Sequence, residues 1–256
     1  MAIAMAGTPL ALSIGIPAGT FLGGLAGWRP TFGSLSVIAL LPVGWIIAKV
    51  PDFDGEATTE RPSLAEVLAV PGIRPVLGVT ICFVLAHNIL YTYIAPWLAV
   101  HGVVGETDRV LLAFGLAGLV SIGLTGALID KWLRPLTFAS IGLFLASAFI
   151  FALTTGAPLA VYGAALVWGL GFVGAATLFQ TASARAAGPV ADVAQAMIVT
   201  VWNIAIAGGA ILGGLILDTA GAVRLPWAGI VLLLMAAGLT LRVARSHGGV
   251  KSEIPV

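Results

Sequence analysis

Charge is almost wholly excluded from eight apolar stretches of this sequence, each long enough to cross a lipid bilayer. They run over about Ala4–Ala26, Phe32–Val50, Pro75–Ala99, Val110–Ile129, Pro135–Thr154, Pro158–Ala182, Ala194–Leu217 and Leu225–Leu241. A spanning helix needs about 20 largely apolar residues, and none of the eight carries a charge in its central part. Composition agrees. Hydrophobic residues make up 59% of the 256 and charged residues only 9%, where a soluble domain carries roughly 25%. Mean hydropathy is +1.09. The solvent for such a chain is lipid. Backbone groups in lipid must pair internally, and the long unbroken runs exclude the short alternating strands of a barrel. The expectation is an all-α polytopic membrane protein with eight transmembrane helices.

The gaps set an orientation. With the N-terminus in the cytoplasm, Lys49, Arg61, Arg74, Lys131, Arg134, Arg185, Arg242, Arg245 and Lys251 all face inward, while Arg29, Arg109 and Arg224 face outward. The positive-inside rule favours this arrangement, with both termini cytoplasmic and the chain in a plasma or inner membrane. The longest gap, 51–74, holds Asp52, Asp54, Glu56, Glu60, Arg61, Glu66 and Arg74. Ser63 and Glu66 make a capping box, and Leu64, Val67 and Leu68 share a helical face. A cytoplasmic linker with a short amphipathic surface helix follows. The expected organisation is two spanning helices over 1–50, this linker over 51–74, a six-helix bundle over 75–244 and a cytoplasmic tail over 245–256.

An internal echo supports repeated construction. Gly19-Thr-Phe-Leu-Gly23-Gly24 in the first segment resembles Gly209-Ala-Ile-Leu-Gly213-Gly214 in the seventh. Small residues four apart let neighbouring helices touch, and repeated halves are characteristic of secondary transporters.

Two motifs carry a family resemblance. The first segment reads Gly15-Ile-Pro17-Ala-Gly19-Thr-Phe-Leu-Gly23-Gly24, with Gly27-Trp28-Arg29 at its exit. This resembles the fifth helix of major facilitator superfamily exporters, above all the twelve-helix drug–proton antiporter branch. Pro17 removes a backbone donor and bends the helix, and the glycines admit a close partner. Gly126-Ala-Leu-Ile-Asp130-Lys131-Trp-Leu-Arg134 is similar to the family's cytoplasmic signature, with Leu133 where a glycine is expected and Pro135 where a basic residue is expected. By that resemblance Asp130 pairs with or caps a neighbouring helix end, while Lys131 and Arg134 hold an inner gate; positive-inside anchoring explains the same charges equally well. The resemblance covers the whole chain. It implies family helices five to twelve only, hence an N-terminally truncated transporter lacking the half of the cavity and the coupling machinery that helices one to four carry.

Polar side chains inside a bilayer are costly and mark function by default. The third segment holds His87, Asn88 and Tyr91. His87 and Tyr91, four apart, share a face, and the resemblance makes the corresponding family helix line the central cavity. We read this face as substrate-binding, and His87 as hydrogen-bonded within the bundle rather than as a proton site. Gln180 and Asn203 are further cavity candidates, although interhelical hydrogen bonds explain both amides as well. Asp218 lies at the outer edge of its segment, and no carboxylate lies deep in any.

Other chemistries find no foothold. Cys82 is the single cysteine, His101 and His247 are remote from His87, and neither zinc-protease, serine-hydrolase nor phosphate-binding-loop motifs occur. No cofactor, metal, nucleic-acid partner or enzymatic activity is expected. The reading is a secondary transporter exporting small molecules such as drugs or metabolites with proton coupling; the alternative is a non-transporting membrane fragment or structural subunit. The expected partners are the bilayer, a small-molecule substrate and protons.

Overall fold

The structure is a computed structural model that describes residues 15–51, 62–155 and 157–248. The beginning of the first expected helix, the acidic run from Asp52 to Arg61 and most of the expected tail lie outside the described residues. Among those described there are ten α-helices and no strand. They are α1 (Ile16–Ala26), α2 (Trp28–Lys49), α3 (Leu64–Ala69), α4 (Ile73–Thr92), α5 (Ile94–Val100), α6 (Thr107–Leu153), α7 (Pro158–Phe172), α8 (Ala175–Ala187), α9 (Ala191–Ala220) and α10 (Leu225–Gly248).

Helix α6 has 47 residues. A straight helix of that length would reach about 70 Å, more than twice the hydrocarbon thickness of about 30 Å. It is not straight. Trp132 leaves helical geometry (φ −125°, ψ 24°) just before Pro135. The hydroxyls of Ser121 and Ser140 then donate to the carbonyls of adjacent residues, Leu170 (2.7 Å) and Gly171 (2.5 Å). Nineteen helical residues would separate the two serines by about 28 Å, so the chain doubles back at Trp132 and α6 makes two crossings. Helices α7 and α8 together make one crossing, interrupted at Val173–Gly174. With α2, α4, α9 and α10, seven complete crossings lie among the described residues, followed from the end of the first expected helix onward. The protein is a multi-pass membrane protein.

The bundle closes around α7. Its glycines remove the side chains that would hold the two arms of α6 away. A Cβ on Gly169 would land on the carbonyl oxygen of Phe114 in the first arm. One on Gly171 would lie 2.8 Å from the Phe144 nitrogen in the second. Ser147 adds a third hydroxyl-to-carbonyl bond, to Ala164 (2.8 Å). Between helices in lipid there is little hydrophobic drive, and close packing plus such bonds must hold the bundle, at about 0.6–2 kcal/mol per bond.

The second glycine cluster of the echo has an equally definite role. Helix α4 is followed by its C-cap Tyr93, whose phenol donates to Ala210 O of α9 (2.8 Å). Its ring lies over Gly213, where a Cβ would come within 2.7 Å, and its hydroxyl over Gly214 at 2.8 Å. The first cluster differs. No neighbouring atom lies within 4 Å of a Cβ built on Gly19 or Gly24, and Gly23 meets only Thr31 Oγ1 at 4.0 Å. Helix α1 has Pro17 in its first turn and touches α2 and α6. Of α2, only Thr31 is buried.

The short α3 has its capping box as expected: Ser63 N donates to Glu66 Oε2 (2.7 Å) and Glu66 N to Ser63 Oγ (3.2 Å). Val67 is fully buried and Leu68 packs beside it, but Leu64 is exposed. So α3 docks on the bundle through one turn rather than presenting a full apolar stripe.

At the opposite end Glu106, just before α6, accepts from Tyr162 (2.6 Å) and pairs with Arg109 (2.9 Å). The Tyr162 hydrogen bond, then Arg109, hold its carboxyl below the usual range. A lowered folded value means that the contact stabilises above the ordinary carboxylate pKa and fades as pH falls through the lowered one. Tyr162→Phe should therefore flatten the acid limb of a stability–pH curve measured in detergent, by a small amount because the contact faces solvent. The packing of α7 makes a larger prediction. Gly169→Val should cost about 3 kcal/mol, whereas Gly163→Ala, in the same helix with open space around it, should stay within about 0.5 kcal/mol; thermal unfolding of the purified protein checks both.

Candidate functional site

The residues singled out in the third segment divide between two environments. His87 and Tyr91 of α4 stack on each other (ring centroids 4.9 Å apart) and enter an aromatic cluster built with Phe114 and Phe144 of α6 and Trp168 and Phe172 of α7. His87 lies flat against Phe172, at 3.4 Å and 6°, and is only 6% exposed. Asn88 points elsewhere. One residue further along a helix is about 100° round it, and this turns Asn88 toward α9, where its Cβ sits 2.6 Å from the place a Cβ on Gly209 would occupy.

His87 is not hydrogen-bonded through Nδ1, contrary to the expectation of a satisfied core histidine, and Trp168 Nε1 is likewise buried without a partner. Two polar nitrogens thus sit unmet in an otherwise apolar cluster, where each carries a desolvation cost. The flat rings beside them are stacked on one another, His87 on Tyr91 and Phe172 and Trp168 on Phe144.

Asn203, one of the two amides for which an interhelical bond was the alternative, does not bridge helices, and neither does Asn88. Asn88 Nδ2 donates to Val84 O (2.9 Å) and Asn203 Nδ2 to Val199 O (2.8 Å), each back onto its own helix. Asn203 is exposed and Gln180 half-buried. Gln180 contributes its backbone carbonyl, which accepts from Gln195 of α9 (2.8 Å).

The break between α7 and α8 lies beside Phe172. In a continuous helix Gly174 N would donate to Leu170 O. Here Ser121 Oγ takes both partners: it donates to Leu170 O and accepts from Gly174 N (3.2 Å). A side chain inserted into the ladder in this way is a recognised cause of a kink. Gly174 is required, since a Cβ there would strike Thr125 and Ser121. Sequence reasoning passed over Ser121, Ser140 and Gly174. A serine in an apolar run gives no sign of whether it bonds its own helix or a neighbour.

At the basic end of the bundle, Asp130 of the signature-like motif approaches Arg185 in the last turn of α8 (3.4 Å). Both are well exposed. Gly126 has no neighbouring atom within 4 Å of a Cβ position, and Lys131 and Arg134 are exposed. Arg185 is the partner that the motif alone did not identify. Among the described residues, no group of three or more His, Cys, Asp or Glu is arranged to hold a metal.

Comparison with known proteins agrees with this architecture. The family model described as Major Facilitator Superfamily matches residues 1–210. The purine ribonucleoside efflux pump NepI of Shigella dysenteriae serotype 1 is 32% identical over 239 residues, which is 91% of this chain and 60% of that protein. NepI of Escherichia coli strain K12 matches to the same extent, and that of Escherichia coli O1:K1 / APEC is 31% identical over the same length. The chain therefore spans about 60% of the length of these curated relatives. With the helical bundle, the glycine-mediated contacts and the family match in agreement, the chain belongs to the Major Facilitator Superfamily.

Proposed function

We propose that this chain serves secondary active export of small molecules across the cytoplasmic membrane by alternating access, coupled to protons, with purine ribonucleosides as the first substrate class to test. The observation that carries the reading is the relationship, along 91% of the chain, to proteins described as purine ribonucleoside efflux pumps. The aromatic cluster supports the substrate class. A purine stacks on flat rings, and its ring nitrogens and exocyclic groups match the unmet Nδ1 of His87 and Nε1 of Trp168. In this reading opening of the bundle parts the His87–Phe172 and His87–Tyr91 stacks and frees these rings for the base. Asn88, Gln180 and Asn203 are the polar candidates nearer the surface, and rocking of the bundle exposes the cluster in turn to each side. Gly15, Pro17, Gly19, Gly23 and Gly24 make up the packing motif, whose open surface at Gly19 and Gly24 would admit a close partner helix. Asp130, Lys131, Arg134 and Gly126 form the cytoplasmic gate motif, closed by Arg185. Nine basic residues on one side against three on the other support cytoplasmic termini.

Everted membrane vesicles from cells producing this chain, alone and together with the part of the Escherichia coli relative that it does not match, provide the assay. Labelled purine ribonucleoside should accumulate when a proton gradient is imposed and leak when a protonophore collapses it. Absence of accumulation in both preparations, with the protein present in the membrane, contradicts the reading. His87 separates site from scaffold. His87→Phe keeps the stack on Phe172, so stability should change by less than about 1 kcal/mol, yet export should fall roughly tenfold with the loss of one hydrogen bond to substrate. His87→Ala should cost about 2–4 kcal/mol of stability through the cavity it leaves. Undiminished export by His87→Phe would reduce His87 to packing.

A further inference from the structure

A cleft of about 470 Å³ opens at the basic end of the bundle, between the start of α4, the second arm of α6, the end of α8 and the end of α10. Its walls are apolar, formed chiefly by Pro75, Val76, Val79 and Phe179. Two arginines, Arg134 and Arg185, stand on its lining. The hydroxyl-bearing residues there, Thr137 and Thr240, donate to Leu133 O and Ala236 O of their own helices. The guanidinium groups are therefore the side-chain donors left for a ligand. Among the described residues Arg134 has no carboxylate partner, and Arg185 has only the exposed Asp130 at 3.4 Å. The lining itself contains no acidic residue.

From this juxtaposition of two arginines with an apolar cleft between spanning helices, we infer that the cleft binds an anionic phospholipid of the cytoplasmic leaflet, its phosphate at Arg134 and Arg185 and part of an acyl chain against Pro75, Val79 and Phe179. Charge complementarity selects the headgroup, and basic pockets between spanning helices on the cytoplasmic side recognise such headgroups. A small hydrophilic anion would satisfy the arginines but leave the apolar walls unfilled. A neutral lipid would fill the walls but leave the arginines without a counter-charge. Depth fits as well, because the cleft lies at the helix ends where headgroups reside. The inference rests on the membrane topology and not on what is exported.

Native mass spectrometry of the purified 256-residue chain, equilibrated with mixed micelles of phosphatidylglycerol and phosphatidylcholine carrying identical acyl chains, tests it. Phosphatidylglycerol should be retained in preference by roughly 25-fold, about fivefold per arginine. Arg134→Gln should lose about fivefold of that preference. Val79→Trp, which fills the cleft and leaves both charges, should lose retention of either lipid while thermal unfolding reports an intact fold. Equal retention of the two lipids, or preference unchanged in both variants, overturns the proposal. So does displacement of the lipid by inorganic phosphate alone, which would make the cleft a simple anion site. No transport is read in this experiment, so its failure is distinct from failure of the export assay.

Discussion

The contact on which the bundle depends is backbone against backbone, where the glycines of α7 meet the two arms of α6. Lipid surrounds this protein, and lipid rewards apolar side chains equally whether they face a neighbour or the bilayer. Specific association must come from shape and from hydrogen bonds. Gly169 and Gly171 supply the shape by letting the arms approach from either side. Ser121, Ser140 and Ser147 supply the bonds, each reaching a carbonyl of α7. The reversal of α6 at Trp132 is thereby locked, and the cluster residues of α6 and α7 take their positions from that lock.

The same contact places a mechanical weak point beside the cluster. Ser121 replaces one backbone bond of the α7–α8 crossing by two side-chain bonds. Phe172, next to the break, carries the ring on which His87 stacks. Gly174 lies two residues from Phe172, so a change of backbone at the break would act on the ring that His87 stacks on.

Much of this was legible in the amino-acid sequence, and the reason is simple. The length of an apolar run decides whether a helix crosses, so Phe32–Val50 was found as Trp28–Lys49 and Ala194–Leu217 as Ala191–Ala220. The Ser63–Glu66 cap was legible because its two bonds lie within four residues. What a side chain touches across the bundle was not. Thr80, Thr137 and Thr240 bond back to their own helices, while Ser121 and Ser140 reach across, and the surrounding residues do not distinguish the two behaviours. His87, Asn88 and Tyr91 looked like one face because four-residue spacing is all that sequence displays; α9 and α7 then claimed different sides of α4. The glycine echo was likewise visible as a repeat, yet only its second copy, beneath Tyr93, has its partner among the described residues.

The central claim is that the chain alternates across the membrane, with Trp132 at one surface and the loops before Thr107 and after Gly221 at the other. Cysteine accessibility measures this directly, starting from a Cys82→Ser background that removes the single native thiol. Single substitutions Val104→Cys and Val223→Cys, compared with Lys131→Cys and Pro189→Cys, would be exposed to a membrane-impermeant maleimide in intact cells and again after permeabilisation. The account predicts labelling of the first pair in intact cells and of the second pair only once the membrane is opened. Labelling of Lys131→Cys together with Val104→Cys in intact cells would place both ends of the first arm of α6 on one side, and would contradict the fold and the transport reading together.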